Sequence, residues 1–458
     1  MSSTYRFLLA TPLVAAALIG CEGFLGADQA VNDPNNPSTA TAEQLFLGAQ
    51  VGQFAQQEGL LAMFACVWTQ QCTGTSNFLQ SIEEYNTVNE DLHSAPWSAA
   101  YEGGGLTDLN VVERALSPGV RRGIVRIYKV LNVATTADAW GNIPYREATD
   151  PAQFPNPHLD PQMQVYADLQ QLLDDALADL NSGTGAGPWG ADLVFGGDAA
   201  PWIKVAHSLK ARLYLHTAEV NGTADYTSAR DQALLGISDA SGAGDWVAVH
   251  GANPGEDNLW FQFSARSGFG QFLVAGRSLA DLMVSRNDPR LPEYFGPATP
   301  GPGYGGQDPF GGRSPAGFSE LTGTRNSATF RQPILTWEET QLILAETEFR
   351  LNGAAAAQPF VDAVRAAVGL GAKTVVSLND VMEEKYVALF QNFEAWNDYK
   401  RTCYPPIVPA AGTFDNLVPG RVYYGNGEEN ANPNIPSKTQ QLIDGGVGFR
   451  NPNDPNHC

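Results

Sequence analysis

Residues 161–180 constrain this chain more than any other segment. Val165, Leu169, Leu172, Leu173, Ala176, Leu177 and Leu180 recur at helical spacing there, while Asp168, Asp174, Asp175 and Asp179 fill the other side. Apolar residues at intervals of three and four fit a helix with one buried and one solvated face. Pro161 can open it, because the first turn needs no amide donor. Such a helix must be covered by others, and the chain supplies them. One covers about 202–220, with Trp202, Val205, Ala206, Leu209 and Leu213 in register. Another runs from Glu338 to about Leu351 on Leu342, Ala345 and Phe349, and a third spans about 378–400 with Tyr386, Leu389, Phe390 and Phe393 on its apolar side. An earlier helix, capped by Ser38, Thr39 or Thr41, carries Leu45, Leu47, Val51, Phe54 and Ala55. Long helices in successive pairs predict a mostly α body of tetratricopeptide-like helical hairpins, although the period is irregular.

Between 241 and 335 the composition shifts to Gly, Pro, Asn and aromatics with few long periodic stretches. That is too long for a structureless loop, so short strands, turns and one helix over 271–285 are expected. An irregular insertion on a rigid helical frame is where binding usually resides. With no linker after the first forty residues, the expected organisation is one body over 41–458 despite its length.

The amino terminus supplies an address. Arg6 precedes Phe7-Leu8-Leu9-Ala10 and an uncharged stretch from Leu13 to Ile19, the layout of a secretory signal. It is shorter than the ~20 residues a spanning helix needs. Leu18-Ile19-Gly20-Cys21 resembles a bacterial lipobox, which makes 1–20 the signal peptide and Cys21 the lipidated first residue of the mature chain. Residues 22–40, rich in Gly, Asn and Pro, read as an extended tether. Four other cysteines remain, Cys66, Cys72, Cys403 and Cys458. In an exported chain they imply disulfides with three possible connectivities. The local pairs Cys66–Cys72 and Cys403–Cys458 are preferred.

With 27 Lys and Arg against 49 Asp and Glu, the net charge of −22 repels polyanions, and nucleic acid is excluded as a partner. Catalytic signatures are missing from the sequence: there is no H-E-x-x-H, G-x-S-x-G or Walker loop. Gly301-Pro302-Gly303-Tyr304-Gly305-Gly306 satisfies G-x-G-x-x-G, but Pro302 and the absence of a following helical pattern make it a turn-rich loop. Neither a metal site nor a cofactor is expected, and no enzymatic activity.

Several ordered motifs resemble one family. Asp138-Ala139-Trp140-Gly141-Asn142-Ile143-Pro144-Tyr145-Arg146-Glu147-Ala148 is similar to the D-x-x-G-x-I-P-Y-x-E-A segment of SusD/RagB lipoproteins. Trp202 through Leu213 matches the family's W-x-K-x-A-x-S-L-x-x-R helix, Asp288-Pro289-Arg290 its D-P-R turn, and Leu344-Ala345-Glu346 its L-A-E helix. Glu394 through Pro405 matches E-x-W-x-D-x-R-R-T-x-Y-P, and Arg421 through Pro433 a final motif in which Gly425 replaces a proline. The resemblance implies an α-rich lipoprotein at the outer membrane. Such a protein acts as a lid on a TonB-dependent SusC-like transporter and holds an oligosaccharide or peptide for import. A tetratricopeptide-like scaffold that merely organises envelope proteins is the alternative.

Most motif residues are expected to be architectural. Glu346 should be buried and paired, with Arg212 or Lys210. Asp288-Pro289-Arg290 should end a helix with an ion pair, and Glu394, Asp398 and Arg401 should form an exposed or half-buried polar network. Ligand contacts are expected from aromatics that no period explains, because sugar rings stack on indole and phenyl faces while their hydroxyls need amides and carboxylates. Two stretches qualify. One holds Trp68, Gln71, Phe78 and Tyr85 beside the Cys66–Cys72 link; the other holds Trp260, Phe263, Arg266 and Phe269, with the loop from Tyr304.

Overall fold

The structure, a computed structural model, describes residues 40–85, 90–266, 268–309, 311–409, 417–446, 449–451 and 454. The signal segment, the tether with Cys21, and Cys458 lie outside them.

Of the three candidate caps, Thr41 starts the first helix, α1 (Ala42–Glu58). Its hydroxyl accepts from the Gln44 amide while the Gln44 side chain accepts from the Thr41 amide, a reciprocal capping box. After α1 come α2 (Leu60–Trp68), α3 (Asn77–Glu83), α4 (Glu90–Tyr101), α5 (Leu106–Ala115) and α6 (Val120–Trp140). The predicted amphipathic helix is α7 (Gln162–Asn181), and α8 (Ala199–Asn221) begins where Asp198 caps the Ala200 amide. Gly222, at φ +68°, breaks α8 and admits α9 (Thr223–Leu235). Then follow α10 (Arg277–Ser285), α11 (Trp337–Asn352), α12 (Ala354–Ala367), α13 (Leu378–Ala388) and α14 (Glu394–Thr402).

The helices pack as antiparallel neighbours, α6 on α7, α8 on α9 and α11 on α12, and the pairs stack in turn through α7 on α8 and α9 on α11. This is the hairpin architecture the amphipathic stripes require. Val165, Leu169, Leu173, Ala176 and Leu180 are all buried, as their spacing predicts. The single helix expected over 378–400 is instead two. Gln391 adopts a left-handed backbone at φ +62°, and the Asn392 side chain accepts from the Glu394 amide to start α14 afresh.

Within 241–335 the expected short strands are present. Strand β2 (Trp246–Ala248) pairs antiparallel with β4 (Gln332–Leu335), closing the insertion at its base. Trp246 is fully buried, with its ring 4.9 Å from Tyr128 and 5.3 Å from Trp202, so this neck is welded to α6 and α8. Of the helix expected over 271–285, only α10 from Arg277 onward forms as an α-helix, because Leu273–Ala275 is taken as a strand, β3.

The family-like motifs converge on a buried ionic cluster. Arg212 grips Glu339 through two hydrogen bonds of 2.6 Å and approaches Glu394 at 3.9 Å. His216 meets Asp138 at 3.0 Å and Glu394 at 2.7 Å, using opposite ring nitrogens. Arg401 takes Glu346 at 2.8 and 3.0 Å and also binds Asp398, which receives Lys385 at 2.8 Å. Lys400 Nζ donates to the Asp138 carbonyl at 2.7 Å.

Two expectations are corrected here. Glu346 pairs with Arg401 and Lys385, not with Arg212 or Lys210. Glu339 and Glu346 lie seven residues apart on one face of α11, and Arg212 reaches the first of them, while Lys210 turns to Asp174. Glu394, Asp398 and Arg401 are fully buried, rather than exposed or half-buried, because α14 is enclosed by other elements. The Asp288–Arg290 pair does close the turn after α10, at 2.8–2.9 Å.

Removing one partner of a buried pair leaves the other charge uncompensated. Arg401→Leu should therefore lower the unfolding free energy by ~3–5 kcal/mol in urea titrations; an unchanged midpoint would contradict the network. Burial alone would depress the His216 pKa, but Asp138 and Glu394 outweigh it and raise the group to about 9. Since the folded value lies above the unfolded one, this stabilisation is full below ~pH 6.5 and is lost as pH rises through 9. Between those limits the wild type should lose stability on the order of 3 kcal/mol more than His216→Gln, measured by urea midpoints across pH.

Candidate ligand-binding face

The Cys66–Cys72 disulfide forms, and it fixes the end of α2 to strand β1 (Cys72–Gly74). Cys403 is also disulfide-bonded, with a partner outside the described residues. Strand β1 pairs antiparallel with β3, Cys72 opposite Ala275 and Gly74 opposite Leu273. Two stretches that lie about two hundred residues apart in sequence, and that carry the predicted aromatics, thus become one unit. The Thr75 amide and hydroxyl bind the Phe272 and Gln271 carbonyls at 2.9 and 2.6 Å, stitching the turn before β3 to the start of α3. Gly74 is required at this junction, since a Cβ would lie 2.1 Å from the Leu79 carbonyl oxygen.

The turn presents a small aromatic face. Phe269 stacks on Phe272 with centroids 5.3 Å apart and lies 6.0 Å from Phe263. Phe269 is 44% exposed, Phe78 on neighbouring α3 is 40% exposed, and Phe263 and Phe272 are half-buried. Exposed rings in one locality are costly to leave in water and mark a place for an apolar or ring-bearing partner. Glu83, on the inner side of α3, is buried, which pushes its carboxyl up to about 8 against the lowering influence of Thr73.

The insertion behind this face is pinned by Glu58 at the end of α1. Its buried carboxylate takes His250 Nε2 at 2.6 Å and the Leu259 amide at 3.2 Å. Burial would lower the His250 pKa, but Glu58 raises it above the ordinary histidine value.

The sequence-predicted contacts divide sharply. Trp68 is buried, donates its indole N–H to the Ile82 carbonyl at 3.1 Å and packs edge-on against Trp396. Gln71 is fully buried and donates to the Tyr386 carbonyl at 2.7 Å; Tyr85 and Trp260 are likewise enclosed. All four are enclosed in the structure: Trp68 closes α2, and Gln71 and Tyr85 lie in a bend and a turn that face inward. Phe263 is on the face with Phe269, also named from the sequence, and with Phe272, which was not; Phe78 is exposed on α3, the helix next to that turn. Tyr304 is half-buried on the loop that docks at the other end of β3, where Gln307 binds the Ala275 carbonyl. The Arg266 side chain lies outside the described residues.

Among the described residues, Asp138, His216 and Glu394 come close enough together to suggest a metal site. Their geometry is that of an ion pair, since each carboxylate faces a different ring nitrogen and one ion could meet only one of them. No described helix is long and apolar enough to cross a membrane.

The structure is a stacked-hairpin frame that carries a loop-rich insertion with an exposed aromatic face. The sequence profile of the SusD-like family, described as starch-binding and associating with the outer membrane, matches residues 34–425, and the chain belongs to that family. Its members are binding proteins, and the description points to glycan capture and an outer-membrane location. A SusD-like protein of Bacteroides thetaiotaomicron superposes with a TM-score of 0.73 at 20% identity, over 90% of this chain and 97% of that one. A chitin-binding SusD homolog from Flavobacterium johnsoniae gives 0.72 at 17% identity, over 90% and 98%. A further chitin-binding protein gives 0.71 at 20% identity, over 91% and 100%. At such identities the likeness is one of fold. No curated protein matches the chain.

The division into core and face has a direct consequence for stability. Trp68→Ala should cost ~3–5 kcal/mol of unfolding free energy, whereas Phe269→Ala should stay within ~0.5 kcal/mol. Chemical denaturation of both variants checks this, and comparable losses would show that Phe269 is a core residue.

Proposed function

We propose that this chain captures a nutrient glycan at the cell surface without cleaving it. Cys21 carries the lipid that holds it to the outer membrane, and the captured ligand passes to a TonB-dependent SusC-like transporter on which the protein acts as a lid. The observation that carries this reading is the phenylalanine face of Phe263, Phe269 and Phe272, with exposed Phe78 on the adjoining α3, held on a disulfide-fixed strand pair. Flat C–H faces of a sugar ring stack on such rings, and rings already fixed by their scaffold lose little freedom on binding. Family membership supports the same conclusion, and chitin and starch oligosaccharides are the first ligands to try. A peptide with apolar side chains could use the same rings and is the other ligand class.

The test is calorimetric titration with chitohexaose, maltohexaose and a mixed peptide library, followed by chromatography for cleavage products. One ligand class should bind saturably and emerge intact. The double variant Phe78→Ala/Phe269→Ala should weaken that binding by roughly tenfold or more, since each ring contributes ~0.5–1.5 kcal/mol. Unchanged affinity in the double variant would remove the face from the account, and binding of neither ligand class would favour the scaffold role.

A further inference from the structure

A second surface shares no residue with the phenylalanine face and is used by nothing described so far. The chain is strongly acidic, yet residues 111–130 carry five bases, Arg114, Arg121, Arg122, Arg126 and Lys129, against one acid, Glu113. Arg121, Arg122 and Arg126 pair with Glu43, Glu113 and Asp179, while Arg114 on α5 and Lys129 on α6, together with the loop after the D-x-x-G-x-I-P-Y motif, border an open depression of about 640 Å³. That volume falls in the ~300–1,000 Å³ range of ligand pockets. Its lining is Asn110, Arg114, Lys129, Tyr145, Arg146, Ala148, Thr149 and Asp150; three are cations and one is an acid.

The cations differ in what already holds them. Lys129 reaches Glu113 at 2.9 Å, and Arg146 forms a two-pronged pair with Asp168 at 2.8 and 3.0 Å. Arg114 is exposed, and no ion pair engages it among the described residues. A free guanidinium presents a planar fork that matches a carboxylate. Beside it, Tyr145 is a half-buried ring that lines the depression, and Asn110 donates to the Thr149 hydroxyl at 3.0 Å. Thr149 is held at φ +69°, a backbone that a β-branched residue rarely adopts. Strain of this kind persists only where the surroundings impose it, and it gathers at functional sites.

We propose that this depression binds an acidic saccharide, its carboxylate taken by Arg114 and its ring lying against Tyr145. The site gives the protein a selectivity for uronic-acid-bearing ligands that the phenylalanine face cannot supply, because a ring of phenylalanine has no charge to offer.

The test uses the whole mature chain and three probes, tetragalacturonate, uncharged maltotetraose and inorganic sulfate, titrated calorimetrically at low and high salt. Tetragalacturonate should bind at one saturable site, more weakly at high salt, with maltotetraose and sulfate at least tenfold weaker. Arg114→Glu should reduce tetragalacturonate affinity at least tenfold, Arg114→Lys should restore part of it, and Tyr145→Ala should weaken it. Arg230→Glu, at a basic residue that does not line the depression, should leave it unchanged, which shows that the loss belongs to the Arg114 site and not to net charge. Arg114 is exposed, so its variants should keep the wild-type melting temperature. No saturable binding of tetragalacturonate, equal binding by Arg114→Glu, or sulfate binding as tightly as the oligosaccharide would each overturn the proposal.

Discussion

The fold is organised around a buried exchange of charge. Arg212, His216, Lys385 and Arg401 face Asp138, Glu339, Glu346, Glu394 and Asp398 in the centre of the hairpin stack. Burying any one of these groups alone would cost several kcal/mol in lost hydration. The cluster is tolerable only because each charge meets an opposite one, and Tyr166, Asn397 and the Asp138 carbonyl satisfy further hydrogen bonds. Because α6, α8, α11, α13 and α14 each contribute members, none of these helices can slide or rotate without stranding a charge. A purely apolar interface would permit many near-equivalent packings; this one specifies a single arrangement.

That rigidity gives the insertion a fixed base. β2 and β4 close it at the neck, Trp246 packs its root against Tyr128 and Trp202, and Glu58 ties down its first part through His250 and the Leu259 amide. At its outer end the β1–β3 pair, held by the Cys66–Cys72 bond, presents the phenylalanines. The ordering cost of the binding face is thus met during folding, which leaves more of the contact energy for ligand.

How much of this is legible in the sequence depends on the range of the interaction. The α7 stripe is local, and its buried residues follow from spacing alone. The break between α13 and α14 is hidden, because the apolar pattern of Tyr386, Leu389, Phe390 and Phe393 continues through it and only Asn392, in its folded setting, restarts the helix. The partner of Glu346 could not be chosen from sequence, since several bases lie at plausible positions and helix phase decides among them. For the aromatics the limit is sharper. Trp68 ends the unbroken apolar run of α2 and Phe269 sits in a turn, and neither position has a period that tells core from surface, yet one is sealed against Trp396 and the other is exposed. The difference arises from the pairing of β1 with β3, a contact that no local pattern announces.

The central claim is that the phenylalanine face holds a glycan intact. It is tested most directly by fluorine NMR of protein labelled with 4-fluorophenylalanine, titrated with chitohexaose and with maltohexaose. The account predicts that with one of these sugars the resonances of Phe78, Phe263, Phe269 and Phe272 shift together and saturate, while those of the buried Phe46 and Phe64 stay still. Shifts confined to other phenylalanines, or no shift with either sugar at millimolar concentration, would contradict it.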